Sequence, residues 1–247
     1  AALFAIMTKV GAYATLRFAT LVFPPDLPAT GLILPSLLLP AALVTLGIGA
    51  IGTLGATTLP RLAAFAGIAS MGTVFLAIAQ MSPAASAAGL YYLVHSTLAT
   101  ALVFLVADLL SRRRAHLRLD SSAPVAQPGL AGALYFAAAI ALAGLPPLSG
   151  FPGKLMILDV WRDQATVIWP AILVSSFLML LGLSRAGSLL FWKPGASPAP
   201  PAPHEPLALA AAFTLLAGLA ALTVFAGPVT DWLTTTAEVL YDPTASI

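Results

Sequence analysis

Long apolar runs separated by short proline-rich or charged breaks organise this chain. Windows of about 19 residues place candidate spans at 1–23, 32–54, 60–81, 87–110, 129–161, 165–192 and 206–226. A hydrocarbon core about 30 Å thick needs roughly 20 apolar residues in a helix, so the pattern predicts an all-α integral membrane protein of about seven transmembrane helices. The stretch 62–107 holds 46 residues without a single Lys, Arg, Asp or Glu, room for two spans. Breaks fall where turn chemistry expects them: Pro24-Pro25-Asp26-Leu27-Pro28, Thr58-Leu59-Pro60, Ser82-Pro83 and the polar segment from Ser111 to Pro128. The Pro/Ala-rich run from Lys193 to Pro206 reads as a semi-rigid extended linker. This organisation predicts one membrane domain over 1–226 and a short external tail over 227–247.

The 33-residue run 129–161 is too long for one crossing and is interrupted by Gly144, Pro146, Pro147, Gly150, Pro152 and Gly153. Proline removes an amide donor and collides with the preceding helical turn, which predicts a discontinuous helix around residues 144–153. Non-helical backbone at membrane depth is tolerated only where protein or a water-filled cavity satisfies it, and transporters use such breaks around their ion sites. The bland alternative is a loop between two short re-entrant pieces.

Composition narrows the class. With 60% hydrophobic and 8% charged residues, against roughly 25% charged in a soluble domain, a soluble globule is excluded. The absence of Cys removes disulfides and thiolate metal sites, and His95, His116 and His204 have no metal-ligand spacing; no cofactor or metal is expected. The net charge of +2 does not point to nucleic acid, because four of the eleven basic residues cluster at Arg112 to Arg118 beside an apolar span. Alternate loops carry six basic residues (Arg61, Arg112, Arg113, Arg114, Arg118, Lys193) against one, Arg162. By the positive-inside rule, residues 111–128 are cytoplasmic and the C-terminus lies outside. The chain opens at Ala1 already apolar, with Lys9 inside the run rather than ahead of it, so it reads as the C-terminal part of a longer subunit.

Gly47, Gly49 and Gly52 match a dinucleotide fingerprint, but inside an apolar span with no acidic residue about 20 positions on the match is false. Small residues at Gly49/Thr53 and Gly52/Ala56 instead suit close helix approach. His95 with Ser96, Ser149 and Asp108 raises an intramembrane serine protease as the enzyme-class competitor, although nothing in the spacing brings a Ser and a His together. Ionisable groups at membrane depth are costly, about 2.5–3.5 kcal/mol for a Lys at a helix centre, and mark functional sites. Lys9, His95 and Lys154 meet that description, each with a structural alternative: Lys9 snorkelling to headgroups, His95 bonded to a carbonyl, Lys154 capping the carbonyls of the break. Asp108 stands four residues before Arg112, at ion-pair spacing. Asp159 is either a counter-charge for Lys154 or a partner of Arg162.

Three segments, AIMTKVGAYATLRF (5–18), GLYYLVHSTLATALVFLVADLL (89–110) and ALAGLPPLSGFPGKLMILD (141–159), resemble the antiporter-like proton-conducting membrane subunit family. That family takes in large membrane subunits of respiratory complex I, relatives in membrane-bound hydrogenases, and components of Mrp-type monovalent cation/proton antiporters, whose D-type subunits the pattern resembles most. The resemblance implies a proton relay through Lys9, His95 and Lys154, with Ser96, Thr97, Thr100, Asp108 and Asp159 in support. It also implies a hetero-oligomeric bacterial inner-membrane complex exchanging protons for Na+ or K+, or a proton-pumping subunit of a respiratory oxidoreductase. Many relatives place a Lys where this chain has Thr100, so hydroxyls or water must serve between His95 and Lys154.

The loop charges carry the first prediction. In this cysteine-free chain, Ser121→Cys in sealed cells reacts with a membrane-impermeant thiol reagent only after the membrane is opened; labelling from outside refutes the orientation.

Overall fold

The structure is a computed structural model that describes residues 2–23, 33–114, 118–120, 124–193, 201 and 204–241. The break around Asp26, most of the Pro/Ala linker, His116, Ser121 and Asp242 lie outside the described residues.

Nine α-helices follow one another among the described residues: α1 (Ala2–Leu21), α2 (Ile33–Gly55), α3 (Leu59–Ala79), α4 (Pro83–Arg112), α5 (Pro128–Ala143), α6 (Gly150–Val160), α7 (Ala165–Gly187), α8 (Pro206–Val224) and α9 (Ala226–Tyr241). A 3₁₀ turn at Arg162–Gln164 precedes α7, and a π turn at Ser188–Trp192 extends it. Five segments, Leu34–Gly55, Leu59–Ala79, Pro83–Arg112, Arg162–Trp192 and Pro206–Val224, are long and apolar enough to cross a membrane. Two further stretches are less regular: α1 carries Lys9 and Arg17, and the shorter apolar helix α5 is followed by α6 across an interruption.

Helix starts follow local chemistry. Pro60, Pro83 and Pro128 occupy first turns, where the missing N–H would have had no helical partner anyway. The Ser82 hydroxyl accepts from Ala85 N at 3.2 Å, capping α4.

Helices α3 and α4 form the centre, and their neighbours turn apolar faces outward. Leu37, Val44, Ile48 and Ile51 on α2, and Val167, Val174, Phe177 and Leu181 on α7, are exposed at helical spacing, as lipid-facing stripes require. Lipid tails are as apolar as leucine, so helix association in a membrane rests on close packing rather than on the hydrophobic effect. Glycine supplies that approach. A Cβ at Gly49 of α2 would lie 2.2 Å from the backbone N of Ala69 on α3, and one at Gly72 of α3 would lie 2.5 Å from Leu46 N. Gly182 of α7 meets α2 similarly, its Cβ position 2.7 Å from the Thr53 carbonyl oxygen.

Polar contacts tie each end of the bundle. At one end Leu119 N donates to Thr57 O at 2.9 Å, Arg185 donates to the Ala56 carbonyl, and Arg113 pairs with Glu205 at 2.7 Å, joining the end of α4 to the start of α8. At the other, Trp161 Nε1 donates to Leu76 O at 3.0 Å and Gln80 Nε2 to Val160 O at 3.3 Å. The loops carrying Arg61, Arg112–Arg114 and Arg118 thus share one face of the molecule.

Two regions gain detail. The predicted tail begins as a helix, α9, packed on α4 through Leu233 and Ala237. Its Thr, Asp and Glu residues conceal an apolar face in which Val229, Leu233, Ala237 and Leu240 recur every three or four residues. The discontinuity expected around 144–153 is present at Gly144 to Ser149, and the helix resumes at Gly150, so Pro152 and Gly153 lie in the first turn of α6. Proline there sacrifices no hydrogen bond, because the first amides of a helix have no acceptor.

The α2–α3 contact can be tested directly. Gly49→Val drives a side chain into the Ala69 backbone and lowers stability by about 2 kcal/mol, read as an earlier thermal transition of the solubilised protein. Gly11→Ala, which meets nothing within 4 Å, leaves it unchanged.

Candidate functional site

The interrupted span positions the site. Helix α5 ends at Gly144, whose φ of 74° reverses the chain in the left-handed region that glycine adopts freely. Six residues without α-helix, Gly144 to Ser149, separate it from α6. A helix end leaves its last carbonyls without intrahelical partners, and in a membrane no water replaces them cheaply. Gly144 N and Leu145 N turn back to the Ile140 carbonyl at 3.2 and 3.1 Å. Gly144 N also donates to the Ala141 carbonyl at 3.1 Å. Lys154, on α6, reaches back to donate to the Ala143 carbonyl at 2.8 Å, and the His95 imidazole of α4 lies beside the Ala141 carbonyl at Gly150.

Lys154 is 7% exposed and its Nζ also donates to Ser176 Oγ of α7 at 2.7 Å. Gly144 is its seat: a Cβ there would lie 2.7 Å from Lys154 Cδ and 2.9 Å from Nζ. His95 is 1% exposed, with Nδ1 2.9 Å from Ser149 Oγ in the break. Gly150 leaves room for the ring, since a Cβ would come within 2.8 Å of Nε2 and 2.6 Å of the Ala141 carbonyl oxygen. An imidazole nitrogen donates or accepts according to where its hydrogen sits, and the Ser149 hydroxyl can partner Nδ1 in either role. The Tyr92 ring lies 5.3 Å from the His95 ring, centre to centre.

Lys9 occupies the third position. It is 4% exposed, and its ammonium donates to Thr100 Oγ1 of α4 at 3.3 Å. A groove of about 500 Å³ runs past it between α1, α2, α3 and α4, with Thr8, Thr15, Thr45 and Thr100 among apolar walls. Between this groove and His95, Ser96 and Ser70 share a 2.6 Å hydrogen bond. Lys9, Thr100, Ser96, Ser70, His95, Ser149 and Lys154 are all buried. They form a polar series strung along α4, from α1 on one flank to the interrupted span on the other.

Three expected supporting residues stand apart. The Thr97 hydroxyl bonds Leu93 O of its own helix at 2.8 Å. Asp108 pairs with Arg112 at 2.9 Å with both side chains about half exposed. Asp159 pairs with Arg162 at 2.5 Å and is 59% exposed, which makes it Arg162's partner and not a counter-charge for Lys154. Exposed pairs of this kind contribute about 0–1 kcal/mol. Within the break, Pro146 and Pro147 keep the backbone non-helical.

Sequence reading missed Ser176 and the His95–Ser149 contact. Ser176 sits in a generic apolar span, and the pairing of residues 54 positions apart has no local signal. That contact brings a Ser and a His together after all. A protease triad still lacks its third member, because Asp108 stands 13 residues from His95 on the same helix, about 20 Å away, and the second ring nitrogen already faces a carbonyl.

The family pattern described as NADH:quinone oxidoreductase/Mrp antiporter, TM, matches residues 1–182. This chain belongs to that family. The D-type Na(+)/H(+) antiporter subunit of Bacillus subtilis (strain 168) is 32% identical over 196 residues, 76% of this chain and 38% of that protein. A chain in the structure of the Mrp complex from Dietzia sp. DQ12-45-1b superposes with a TM-score of 0.83 at 25% identity, covering 99% of this chain and 54% of that one. A chain of respiratory complex I from Thermus thermophilus gives a TM-score of 0.81 at 27% identity, covering 94% and 49%. The chain therefore spans about half the length, or less, of these relatives. Its fold is that of the membrane subunits they share, all-α with an interrupted helix.

The seat of Lys154 yields a stability prediction. Gly144→Ala forces a side chain into the left-handed region and against the lysine, and costs about 1–3 kcal/mol. Gly129→Ala, which points into open space, has no such effect on the thermal midpoint of the solubilised protein.

Proposed function

We propose that this chain is the proton-relaying C-terminal part of a D-type component in a multisubunit Na+(K+)/H+ antiporter. One observation carries the reading: three ionisable nitrogens, on Lys9, His95 and Lys154, are buried in one membrane bundle, and each lies against a hydroxyl of another helix or of the break. Nothing in lipid rewards burying such groups for packing alone. A row of groups that bind and release protons, connected through hydroxyls and water, moves protons laterally between openings on the two membrane faces. The similarity to the Bacillus antiporter protein supports cation exchange as the coupled process.

The same relay serves the second reading, a proton-pumping membrane subunit of complex I or a related hydrogenase, favoured by the Thermus likeness. In that setting electron transfer in other subunits drives the protons. The partners are accordingly further subunits of a membrane complex, the bilayer, protons and Na+ or K+. The location is the bacterial inner membrane, with residues 111–128 cytoplasmic and the C-terminus outside.

Arginine separates relay from structure at Lys154, because it donates to carbonyls as lysine does but stays charged at any relevant pH. In vesicles holding the whole complex, Lys154→Ala and Lys154→Arg both abolish cation-driven proton exchange while the complex assembles. Near-normal exchange with Arg sinks the relay role. His95→Ala lowers exchange at unchanged subunit abundance; unchanged exchange assigns His95 a structural role only.

A further inference from the structure

His95 and Lys154 keep company with groups of two kinds. Carbonyls, of Ala141 beside His95 and of Ala143 at Lys154, only accept hydrogen bonds. The others are hydroxyls: Ser149 at His95, 2.9 Å, and Ser176 at Lys154, 2.7 Å. A hydroxyl both donates and accepts, and it changes role by rotating one O–H bond.

A group that takes up and releases a proton inside a bilayer must be satisfied in both states, since a buried polar atom without a partner is costly. The protonated Lys154 donates to Ala143 O and Ser176 Oγ. Once a proton leaves, Nζ holds a lone pair that the Ala143 carbonyl cannot serve. Ser176 can, because its hydrogen now points to Ile172 O at 2.7 Å and is free to turn to Nζ. At His95, a neutral ring with its lone pair on Nδ1 accepts there from the Ser149 hydroxyl. A proton arriving on that lone pair makes Nδ1 a donor, and Ser149 Oγ becomes its acceptor while its own hydrogen rotates away. No covalent bond other than the N–H forms or breaks. Ser149 is fully buried in the break and Ser176 is partly buried on α7, so the two hydroxyls brace the relay from opposite sides.

We infer that Ser149 and Ser176 are positioning residues of the proton relay, each the two-way hydrogen-bond partner that lets His95 and Lys154 be satisfied with and without the transferable proton. This rests on the relay reading above. Thr100 of α4 likewise sets a hydroxyl beside Lys9.

The test uses the complete complex in vesicles, with subunit abundance measured alongside cation-driven proton exchange. Ser149→Ala and Ser176→Ala each slow exchange roughly tenfold at normal abundance, the factor set by one unsatisfied buried group. Ser176→Thr, which keeps the hydroxyl and its bond to the preceding turn, restores exchange. Ser175→Ala, at the adjacent buried serine, leaves it unchanged. Because Ser149 acts through His95, Ser149→Ala added to His95→Ala slows exchange no further. Full exchange in both serine-to-alanine variants, with His95→Ala and Lys154→Ala impaired, overturns this inference and spares the relay. Ser176→Thr as slow as Ser176→Ala also overturns it, because shape and not the hydroxyl then matters. Normal exchange in His95→Ala and Lys154→Ala overturns the relay and this inference together.

Discussion

A helix that stops in the middle of a membrane must find partners for the carbonyls it leaves open. Here Pro146 and Pro147 prevent α5 from continuing, and Gly144 turns the chain out of it. Part of the need is met by backbone amides folding back on Ile140. Lys154 takes the Ala143 carbonyl and His95 lies beside that of Ala141, so side chains from two other helices come to the same terminus. The negative end of a helix dipole favours a positive charge beside it, so the terminus that needs capping is also the place where a buried cation is best tolerated. The interruption and the candidate relay are one structural feature.

This explains why the structural and functional readings of these side chains need not compete. Lys154 does cap a carbonyl, and that does not exclude a proton on the same nitrogen from moving. What goes beyond capping is the company each keeps. Arginine or an amide would satisfy the carbonyls equally well, whereas a titratable nitrogen beside a rotatable hydroxyl suits two protonation states. The glycines serve the same end: Gly144 and Gly150 leave the space that Lys154 and His95 occupy.

Around this centre the bundle is held by packing and by its ends. Glycines at the α2–α3 and α2–α7 contacts let backbones touch, and the buried Arg113–Glu205 pair fastens α8 to α4. Removing one partner of such a pair strands a buried charge, so it acts as a fixed joint rather than an adjustable one. Lys9 enters from the opposite flank, against Thr100.

The sequence alone determined the fold class and the five long apolar spans, because hydropathy is a local property summed over about 20 residues. It determined the interruption too, since proline acts on its own turn, and it marked Lys9, His95 and Lys154, since charge in an apolar run needs no third dimension to be conspicuous. The Asp108–Arg112 pair was equally legible from helical spacing. Only the tertiary structure decided which of these meet. Ser149 reaches His95 across 54 residues and Ser176 reaches Lys154 across 22, and a serine in an apolar helix looks the same whether it faces lipid or a lysine. Helix α9 was hidden for a related reason: its apolar face is half diluted by Thr, Asp and Glu, and the partner that buries it, α4, lies far away in sequence. Local patterning announces where a polar group is costly; the packing of distant helices decides what satisfies it.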